Sequence, residues 1–526
     1  MVNILLAFLA LCVRRLIAVD PVVDLGYAQY RGVYQGNGSV IRWAGMRYAR
    51  SVSRVDGLRF TAPQDPLPER PGIVVDASEF GSICIGSKSV LKNEFGGRES
   101  EDCLFANVFA PADATNTSAL PVYVFIQGGG FNDNGNADYN GAQLIDAANG
   151  QMVVVNFNYR VGPYGFLASK EIAEDKELSL NNGLKDQRQL LKWVKTHISK
   201  FGGDPNHIVL GGASAGGGSV VMHLTAYGGR NDDLFHAAFA ESPAFPPIRN
   251  AEQSQFAYDA LLQETQCADL KCLRDMDAVS FQAAVRRMKV AFPRGSAPPV
   301  YFWNPTLDYN FIKDYTYNEI KAGHLVRVPT IFGDTTNEGT VFTPKTITSL
   351  RRAEQFITSQ FTNINQKEIV RFRRVWRGPV DPVFDSRWRK IASDIYGHIR
   401  YTCGALNISA AYAADGTVPI RAYRWNVGTA VHVSELPAIW SKGSTAAGRF
   451  MQGYLASFVR SYDPNKYPVE FRVSGNKTLV SPKWATFGNG QRMVFNSGDE
   501  VEMAELSRGE RAQCEVITGM GIQLEQ

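Results

Sequence analysis

The chain has 526 residues, of which 44% are hydrophobic, 20% charged and 11% aromatic. This apolar content excludes an intrinsically disordered chain, and 48 glycines with 25 prolines exclude collagen-like and low-complexity sequences. The net charge of +4 is spread over 55 basic and 51 acidic side chains, so we expect no nucleic-acid partner.

The first segment of the chain predicts a secretory signal peptide. Its apolar run over residues 4–13 has the length of a signal-peptide core and is too short to span a bilayer. Cleavage after Ala18 is imperfect because Leu16 stands at the third position back, so a retained N-terminus is the alternative. The expected organisation is a signal peptide over residues 1–18 and a single domain over residues 19–526. No later run of 18 apolar residues occurs, so no stable membrane insertion is expected.

The cysteines also favour the secretory route. There are seven, and removal of the leader would leave an even number, which suits disulfide pairing. No spacing resembles a zinc site or a CxxC redox pair, and buried free thiols in a cytosolic enzyme are the alternative. Asn-x-Ser/Thr triplets, which also arise by chance, give candidate glycosylation sites at Asn37, Asn116, Asn407 and Asn476.

Short apolar runs alternate with helical patterns along the chain. A helix is predicted over residues 182–201, where apolar residues recur three, four or seven apart, with Asn181 or Asn182 as its cap and Gly202–Gly203 as its end. This alternation predicts a mostly parallel α/β sheet, with the irregular residues 244–325 as an insertion or lid. The predicted strands are residues 122–126, 152–157, 207–210, 235–240, 328–332 and 420–427.

One basic segment, RFRRVWR at residues 371–377, allows two interpretations. It could form a nucleic-acid patch or the solvated face of an amphipathic helix. The chain has no other basic cluster, so the sequence favours the helix face.

The segment Gly-Ala-Ser-Ala-Gly at residues 212–216 predicts a nucleophile elbow. It follows a predicted strand and precedes a helix-compatible stretch that reaches about Tyr227, which is the context such an elbow requires. Ser214 would lie in a strained turn, and side chains two residues away on either side would collide with the neighbouring strand and helix.

A second glycine-rich turn predicts an oxyanion hole. Gln127 and three glycines follow the strand that ends at residue 126. The backbone N–H groups of Gly129, Gly130 and Ala215 are expected to bind the developing oxyanion.

The serine requires a base and a carboxylate, which follow it in the order acid, then histidine. Only His398 and His432 lie far enough after Ser214 to leave room for an acid between them and the serine. His398 suits a helix interior, whereas His432 lies on a loop after a strand. His432 is therefore the expected base. The acid is Glu338 or Asp334, and position alone does not separate them.

The chain resembles the type B carboxylesterase (carboxylesterase–cholinesterase) family, especially its secreted fungal members. The resemblance implies an α/β-hydrolase fold: a large, mostly parallel sheet flanked by helices, with helical insertions that form a lid or gorge. The matching segments are EDCLFANVFAP (101–111), NYRVGPYGFL (158–167), NNGLKDQRQLLKWVKTHISKFGGDP (181–205), GGASAGGGSV (211–220), TNEGT (336–340), HVSEL (432–436) and SPKWATFG (481–488).

The resemblance assigns Glu338 as the acid. It also implies three disulfides, of which the last occurs in only part of the family. They are Cys84–Cys103, Cys267–Cys272 and Cys403–Cys514.

The chain departs from the family pattern at three places. Ala213 replaces a glutamate before the serine, which removes a negative charge that would attract cationic substrates. Gln127 replaces an aromatic or histidine residue, a change we expect to affect access more than chemistry. The segment between Cys84 and Cys103 contains no tryptophan to stack on a quaternary ammonium, so choline esters are poor candidates.

The sequence thus predicts a secreted serine hydrolase of neutral carboxylic esters that requires no metal or organic cofactor and binds a small-molecule ester. The alternatives are a lipase, an esterase or acyl transferase dedicated to a secondary-metabolite pathway, and a catalytically dead binding module of the same fold. The sequence does not indicate the oligomeric state.

Overall fold

The structure is a computed structural model that describes residues 21–94, 97–134, 138–292, 298–376, 384–443, 445–472, 477–498 and 500–526. The expected signal peptide, Arg377 and Asn476 lie outside these residues. The strands are β1 (Val22–Asp24), β2 (Gln29–Arg31), β3 (Val33–Gln35), β4 (Val40–Arg47), β5 (Val74–Asp76), β6 (Ile83–Cys84), β7 (Glu99–Ser100), β8 (Phe105–Pro111), β9 (Leu120–Ile126), β10 (Val153–Phe157), β11 (Gly203–Ala213), β12 (Ala237–Glu241), β13 (Arg249–Asn250), β14 (Thr306–Leu307), β15 (Thr330–Thr335), β16 (Ile420–Asn426), β17 (Glu470–Arg472), β18 (Thr478–Val480), β19 (Gln491–Asn496) and β20 (Val501–Glu505).

Seventeen α-helices occur in the described residues, together with a 3₁₀ turn at Ile198–Phe201 and a π-helical turn at His398–Thr402. They are α1 (Ala142–Ala147), α2 (Gly162–Phe166), α3 (Lys170–Glu174), α4 (Asn182–His197), α5 (Ala215–Gly229), α6 (Ala251–Thr265), α7 (Leu270–Asp275), α8 (Ala278–Arg287), α9 (Thr316–Lys321), α10 (Leu350–Gln360), α11 (Gln366–Val375), α12 (Arg387–Gly397), α13 (Cys403–Asp415), α14 (Leu436–Trp440), α15 (Ala446–Ser461), α16 (Arg508–Thr518) and α17 (Gly521–Leu524).

An eleven-stranded sheet forms the centre of the molecule. Its order is β20-β19-β16-β15-β12-β11-β9-β10-β8-β4-β3. Neighbouring strands from β19 to β10 are parallel to one another. At the two ends of the sheet the neighbouring pairs are antiparallel: β20 with β19, β8 with β10, β4 with β8 and β3 with β4. The prediction of a mostly parallel sheet is confirmed, with antiparallel strands added at both ends.

Helices cover both faces of this sheet. Alternate residues of β9 point to opposite sides because successive side chains of a strand do so. Val122 and Val124 pack in a core with α4, α5 and α13, whereas Tyr123 and Phe125 pack in a second core with α1 and α15. The sheet is therefore buried on both faces, as its continuous apolar strands predict.

The predicted helix and basic segment lie close to their expected positions. Helix α4 begins at Asn182 and a 3₁₀ turn continues it to Phe201, where Gly202 in a left-handed conformation ends it. Asn181 precedes the helix but does not cap it through its side chain, which donates instead to the Thr306 carbonyl oxygen at 2.8 Å. Residues 371–375 lie in the amphipathic helix α11, with Phe372 buried and Arg371 exposed.

Candidate active site

Four loops that carry the predicted site residues meet at one edge of the central sheet. These loops follow β9, β11, β15 and β16, which run parallel, so their carboxyl ends lie at the same edge. The loops after β15 and β16 are joined directly, because the Asn337 N–H donates to the Ala430 carbonyl oxygen at 2.8 Å.

Ser214 occupies the sharp turn between β11 and α5. Its backbone has φ 58° and ψ −120°, a strained conformation for a residue with a side chain. A Cβ on Gly212 would come within 2.5 Å of the Gly216 carbonyl oxygen, and one on Gly216 within 1.9 Å of the Ile126 carbonyl oxygen. Both glycines are required for the reason that the sequence indicates: strand and helix leave no room for a side chain.

The side chains of Ser214, His432 and Glu338 form a continuous hydrogen-bonded chain. The Ser214 Oγ lies 2.8 Å from the His432 Nε2, and the Glu338 Oε2 is bonded to the His432 Nδ1. The other carboxylate oxygen of Glu338 accepts from the Thr335 N–H at 2.7 Å. The side chains of Glu338 and His432 are buried, whereas Ser214 is partly exposed.

The two competing residues occupy other positions. Asp334 forms a bidentate ion pair with Arg424 of the neighbouring strand, at 2.6 and 2.8 Å. His398 lies in the π-helical turn, where its Nδ1 accepts from the Trp376 indole N–H at 3.0 Å. The structure therefore separates Glu338 from Asp334, which position in the sequence did not.

The glycine-rich turn after β9 lies against the serine. A Cβ on Gly128 would come within 3.0 Å of the Ser214 Cβ. Gly129 and Gly130 have positive φ values of 120° and 65°, and their N–H groups have no acceptor among the described residues. The same is true of Ala215, whose N–H begins α5 and has no partner within the helix.

Gln127, which begins the glycine turn, is held by hydrogen bonds inside the protein; the expectation that its change affects access more than chemistry stays a prediction. Its side chain is buried and donates to the side-chain oxygens of Asn134 and Asn158, at 2.8 and 3.2 Å. Its carbonyl oxygen accepts from the Tyr159 hydroxyl at 3.0 Å. These hydrogen bonds fix the residue that directly precedes the three glycines.

Aromatic rings surround the imidazole of His432. The Tyr401 and Phe342 ring centroids lie 4.2 and 5.1 Å from that of the imidazole. Phe342 also contacts Tyr396 at 5.4 Å and Tyr301 at 6.0 Å. The imidazole therefore lies beside a cluster of aromatic side chains that sequence reasoning did not anticipate, formed by Tyr301, Phe342, Tyr396 and Tyr401.

Two further carboxyl groups are buried behind the site. Glu435 accepts from the Tyr423 hydroxyl at 2.9 Å, and burial, reinforced by the charge of Glu338, raises its pKa to about 8. Glu241 pairs with Ala213 across β11 and β12, and burial raises its pKa well above the usual value. Burial thus favours the neutral form of both carboxyl groups. The HVSEL motif contained Glu435, but nothing in the sequence indicated its protonation.

The remaining predicted residues are the cysteines and the candidate glycosylation sites. Three disulfides join the six cysteines in the pairs that the resemblance implies. Asn37 and Asn116 are exposed, whereas Asn407 is half-buried on α13. Across the described residues no group of histidine, cysteine and acidic side chains is arranged to hold a metal ion, and none of their helices is long and apolar enough to cross a bilayer.

Comparisons with known proteins agree with this arrangement. A model of the carboxylesterase family matches residues 19–515. The chain is 35% identical to the para-nitrobenzyl esterase of Bacillus subtilis over 94% of this chain and 98% of that protein. It is 28% identical to Secreted lipase 4 of Gibberella zeae, covering 89% of this chain and 87% of that one.

A solved structure extends the likeness to the fold. The crystal structure of Aspergillus niger EstA matches with a TM-score of 0.87 and 35% identity, covering 96% of this chain and 99% of that one. The α/β-hydrolase fold is thereby confirmed. The chain belongs to the carboxylesterase family, and it is a carboxylic-ester hydrolase.

Proposed function

We propose that the protein hydrolyses esters through an acyl-enzyme intermediate formed on Ser214. The observation that carries this proposal is the hydrogen-bonded chain from the Ser214 hydroxyl through His432 to Glu338. The imidazole takes the serine proton as the hydroxyl attacks the ester carbonyl, and then delivers that proton to the leaving alcohol. Glu338 orients the ring and stabilises its charged form.

The glycine turn has the second role in this mechanism. The N–H groups of Gly129, Gly130 and Ala215 would donate to the oxyanion of the tetrahedral intermediate, and their lack of a protein acceptor supports this assignment. Water then attacks the acyl-enzyme with His432 as its base. The steps use groups of this chain, the ester substrate and water.

Replacement of the serine tests the proposal. Ser214→Ala should lower kcat for 4-nitrophenyl butyrate at least about 1,000-fold and abolish labelling by a fluorophosphonate probe. Ser441→Ala, a change of an exposed serine, is the matched control and should retain both. Circular dichroism establishes that both variants are folded. Near wild-type turnover by folded Ser214→Ala would refute the assignment and favour a non-catalytic role.

The substrates that we propose lack a positive charge. Ala213 supplies no carboxylate beside the serine, and no tryptophan lies between Cys84 and Cys103. A panel of 4-nitrophenyl esters of rising chain length, measured beside butyrylthiocholine, tests this point. Faster turnover of the choline ester would contradict it. Activity that rises sharply once long-chain esters form an emulsion would identify a lipase instead.

We further propose that the protein is secreted after removal of residues 1–18. The three disulfides favour an oxidising compartment, and one relative carries the name Secreted lipase. N-terminal sequencing of protein from the culture medium would locate the cleavage, and an intact N-terminus would refute it. Digestion with an amidase specific for N-glycans would reduce the mass if Asn37 or Asn116 is glycosylated.

A further inference from the structure

A buried arginine next to the site has no side-chain partner among the residues that the structure describes. Arg400 is only 3% exposed, and its Nε and Nη2 atoms form no hydrogen bond. No acidic side chain pairs with it among the described residues, and it lies over none of their aromatic rings. A buried cation is costly unless it is paired and hydrogen-bonded, so this guanidinium is unusual.

The other buried arginines show what is normal in this molecule. They donate to carboxylates, as the rule for buried charges requires. The clearest cases are Arg59 with Glu101, Arg160 with Asp186 and Arg492 with Glu510. Arg400 lacks such a carboxylate among the described residues.

The backbone of Arg400 is fixed close to the reacting groups. It lies in the π-helical turn between α12 and α13, a feature that is frequent at functional sites. The Arg400 carbonyl oxygen accepts from the Phe245 N–H at 2.7 Å. Ala244, which precedes Phe245, donates its N–H to the Ser214 carbonyl oxygen at 2.9 Å. The following residue, Tyr401, packs on the imidazole of His432.

Arg400 adjoins the aromatic cluster at the imidazole, because it directly precedes Tyr401 in the π-helical turn. Burial raises the pKa of the Tyr301, Tyr396 and Tyr401 phenols, and the positive charge of Arg400 opposes that rise at all three. The Tyr301 ring occupies the space that a Cβ on Gly130 would enter, 2.4 Å away. Arg400 and the oxyanion turn thus both adjoin this aromatic cluster.

We propose that Arg400 binds a carboxylate carried by the substrate, so that the enzyme acts on esters that retain one free carboxylate. Such substrates include half-esters of dicarboxylic acids and esters of hydroxy acids. The planar guanidinium matches a carboxylate with two parallel hydrogen bonds, and the surrounding aromatic rings exclude water from the pair. This inference rests on the proposed function and narrows the expectation of neutral substrates, because it places an anion at one end of the ester.

Two matched pairs of esters test the proposal on either side of the ester bond. The acyl pair is 4-nitrophenyl hydrogen adipate and 4-nitrophenyl hexanoate. The alcohol pair is the butyrate ester of 4-hydroxybenzoic acid and that of 4-hydroxybenzamide. The wild type should show the higher kcat/KM for the carboxylate member of one pair, which also identifies the side that Arg400 binds. A preference for the uncharged member in both pairs would overturn the proposal.

Substitutions connect the preference to the arginine. Arg400→Gln should lower the ratio of kcat/KM between the charged and uncharged esters roughly 10- to 100-fold, the strength of a hydrogen bond to a charged group. Arg400→Lys should keep part of the preference. Arg387→Gln, an exposed change of equal charge on α12, is the control and should leave the ratio within 2-fold, about the scale of a screened surface charge. An unchanged ratio in Arg400→Gln would refute the inference.

Inhibition of the wild type gives an independent measurement if Arg400→Gln does not fold. Adipate should inhibit hydrolysis of 4-nitrophenyl hexanoate at lower concentration than adipamide, and 4-hydroxybenzoate at lower concentration than its amide. Equal inhibition by acid and amide in both pairs would overturn the proposal. Failure of the proposed function would give a different result from failure of this inference, because the Ser214→Ala variant would then still hydrolyse esters.

Discussion

Replacing Glu435 by glutamine should make the stability of the protein less dependent on pH. Glu435 is fully buried three residues after His432, and its pKa is raised to about 8 by burial and by the charge of Glu338. Glutamine has nearly the same shape and keeps an oxygen that can accept from the Tyr423 hydroxyl. The substitution therefore removes the ionisation and little else.

The size of the effect follows from proton linkage. The folded protein holds the Glu435 proton up to about pH 8, whereas the unfolded chain releases it near the ordinary value of 4.5. Between these limits the folded state binds one more proton, so the free energy of unfolding falls as pH rises, by about 1.4 kcal/mol per pH unit. From pH 5.5 to 7.5 this one carboxyl lowers it by about 2.7 kcal/mol. Its stabilising contribution is complete below pH 4.5.

Urea unfolding followed by tryptophan fluorescence at pH 5.5 and pH 7.5 measures this dependence. The wild type should lose about 2.7 kcal/mol more than Glu435→Gln over that interval. Glu174→Gln, a change of an exposed carboxyl, serves as the control and should behave as the wild type does. Equal losses in wild type and Glu435→Gln would show that Glu435 is ionised in the folded protein and would refute the reasoning.

Three further changes test the site and its supports. Glu338→Gln should reduce kcat by about 10,000-fold with circular dichroism unchanged, because the imidazole loses its charged partner, and a loss below 10-fold would contradict this role. Gly216→Ala should abolish fluorophosphonate labelling because its Cβ would meet the β9 carbonyl oxygen at 1.9 Å, whereas Gly509→Ala, with 3.9 Å of space, should label normally. Replacing Cys403 and Cys514 by serine removes a cross-link over 111 positions and should lower the free energy of unfolding by about 2–5 kcal/mol in urea, a prediction that unchanged stability would contradict.

Local patterns predicted the centre of the fold well and its ends poorly. The strand before Ser214 was expected over residues 207–210, but β11 extends over Gly203–Ala213 because pairing with β9 and β12 holds residues that have little strand preference by themselves. Strands β19 and β20 were not predicted. Their exposed outer positions break the continuous apolar pattern that marks the central strands.

The site residues also divide into those that local sequence indicates and those that depend on distant contacts. Ser214 and the glycine turn could be recognised because each depends on a few adjacent residues in a strand–turn–helix context. The choice between Glu338 and Asp334 depends on which carboxylate Arg424 binds, and Arg424 lies 90 residues away from Asp334 in sequence. The missing partner of Arg400 is likewise a property of the folded protein, although a single arginine within the apolar segment around Tyr401 was a signal that could have been noted.

The buried acids explain how several carboxyl groups are accommodated around one imidazole. Glu338 accepts from the Thr335 N–H and contacts the His432 Nδ1. Glu435 accepts from the Tyr423 hydroxyl, and burial raises the pKa of Glu435 to about 8 and that of Glu241 well above its usual value. Glu338 is therefore the carboxylate in contact with the imidazole, where it can stabilise the positive charge that forms as Ser214 is deprotonated. If Glu241 and Glu435 were also ionised, their charges would repel that of Glu338 in the protein interior, which screens charges weakly. Burial without cations favours their neutral forms and so is compatible with the proposed chemistry.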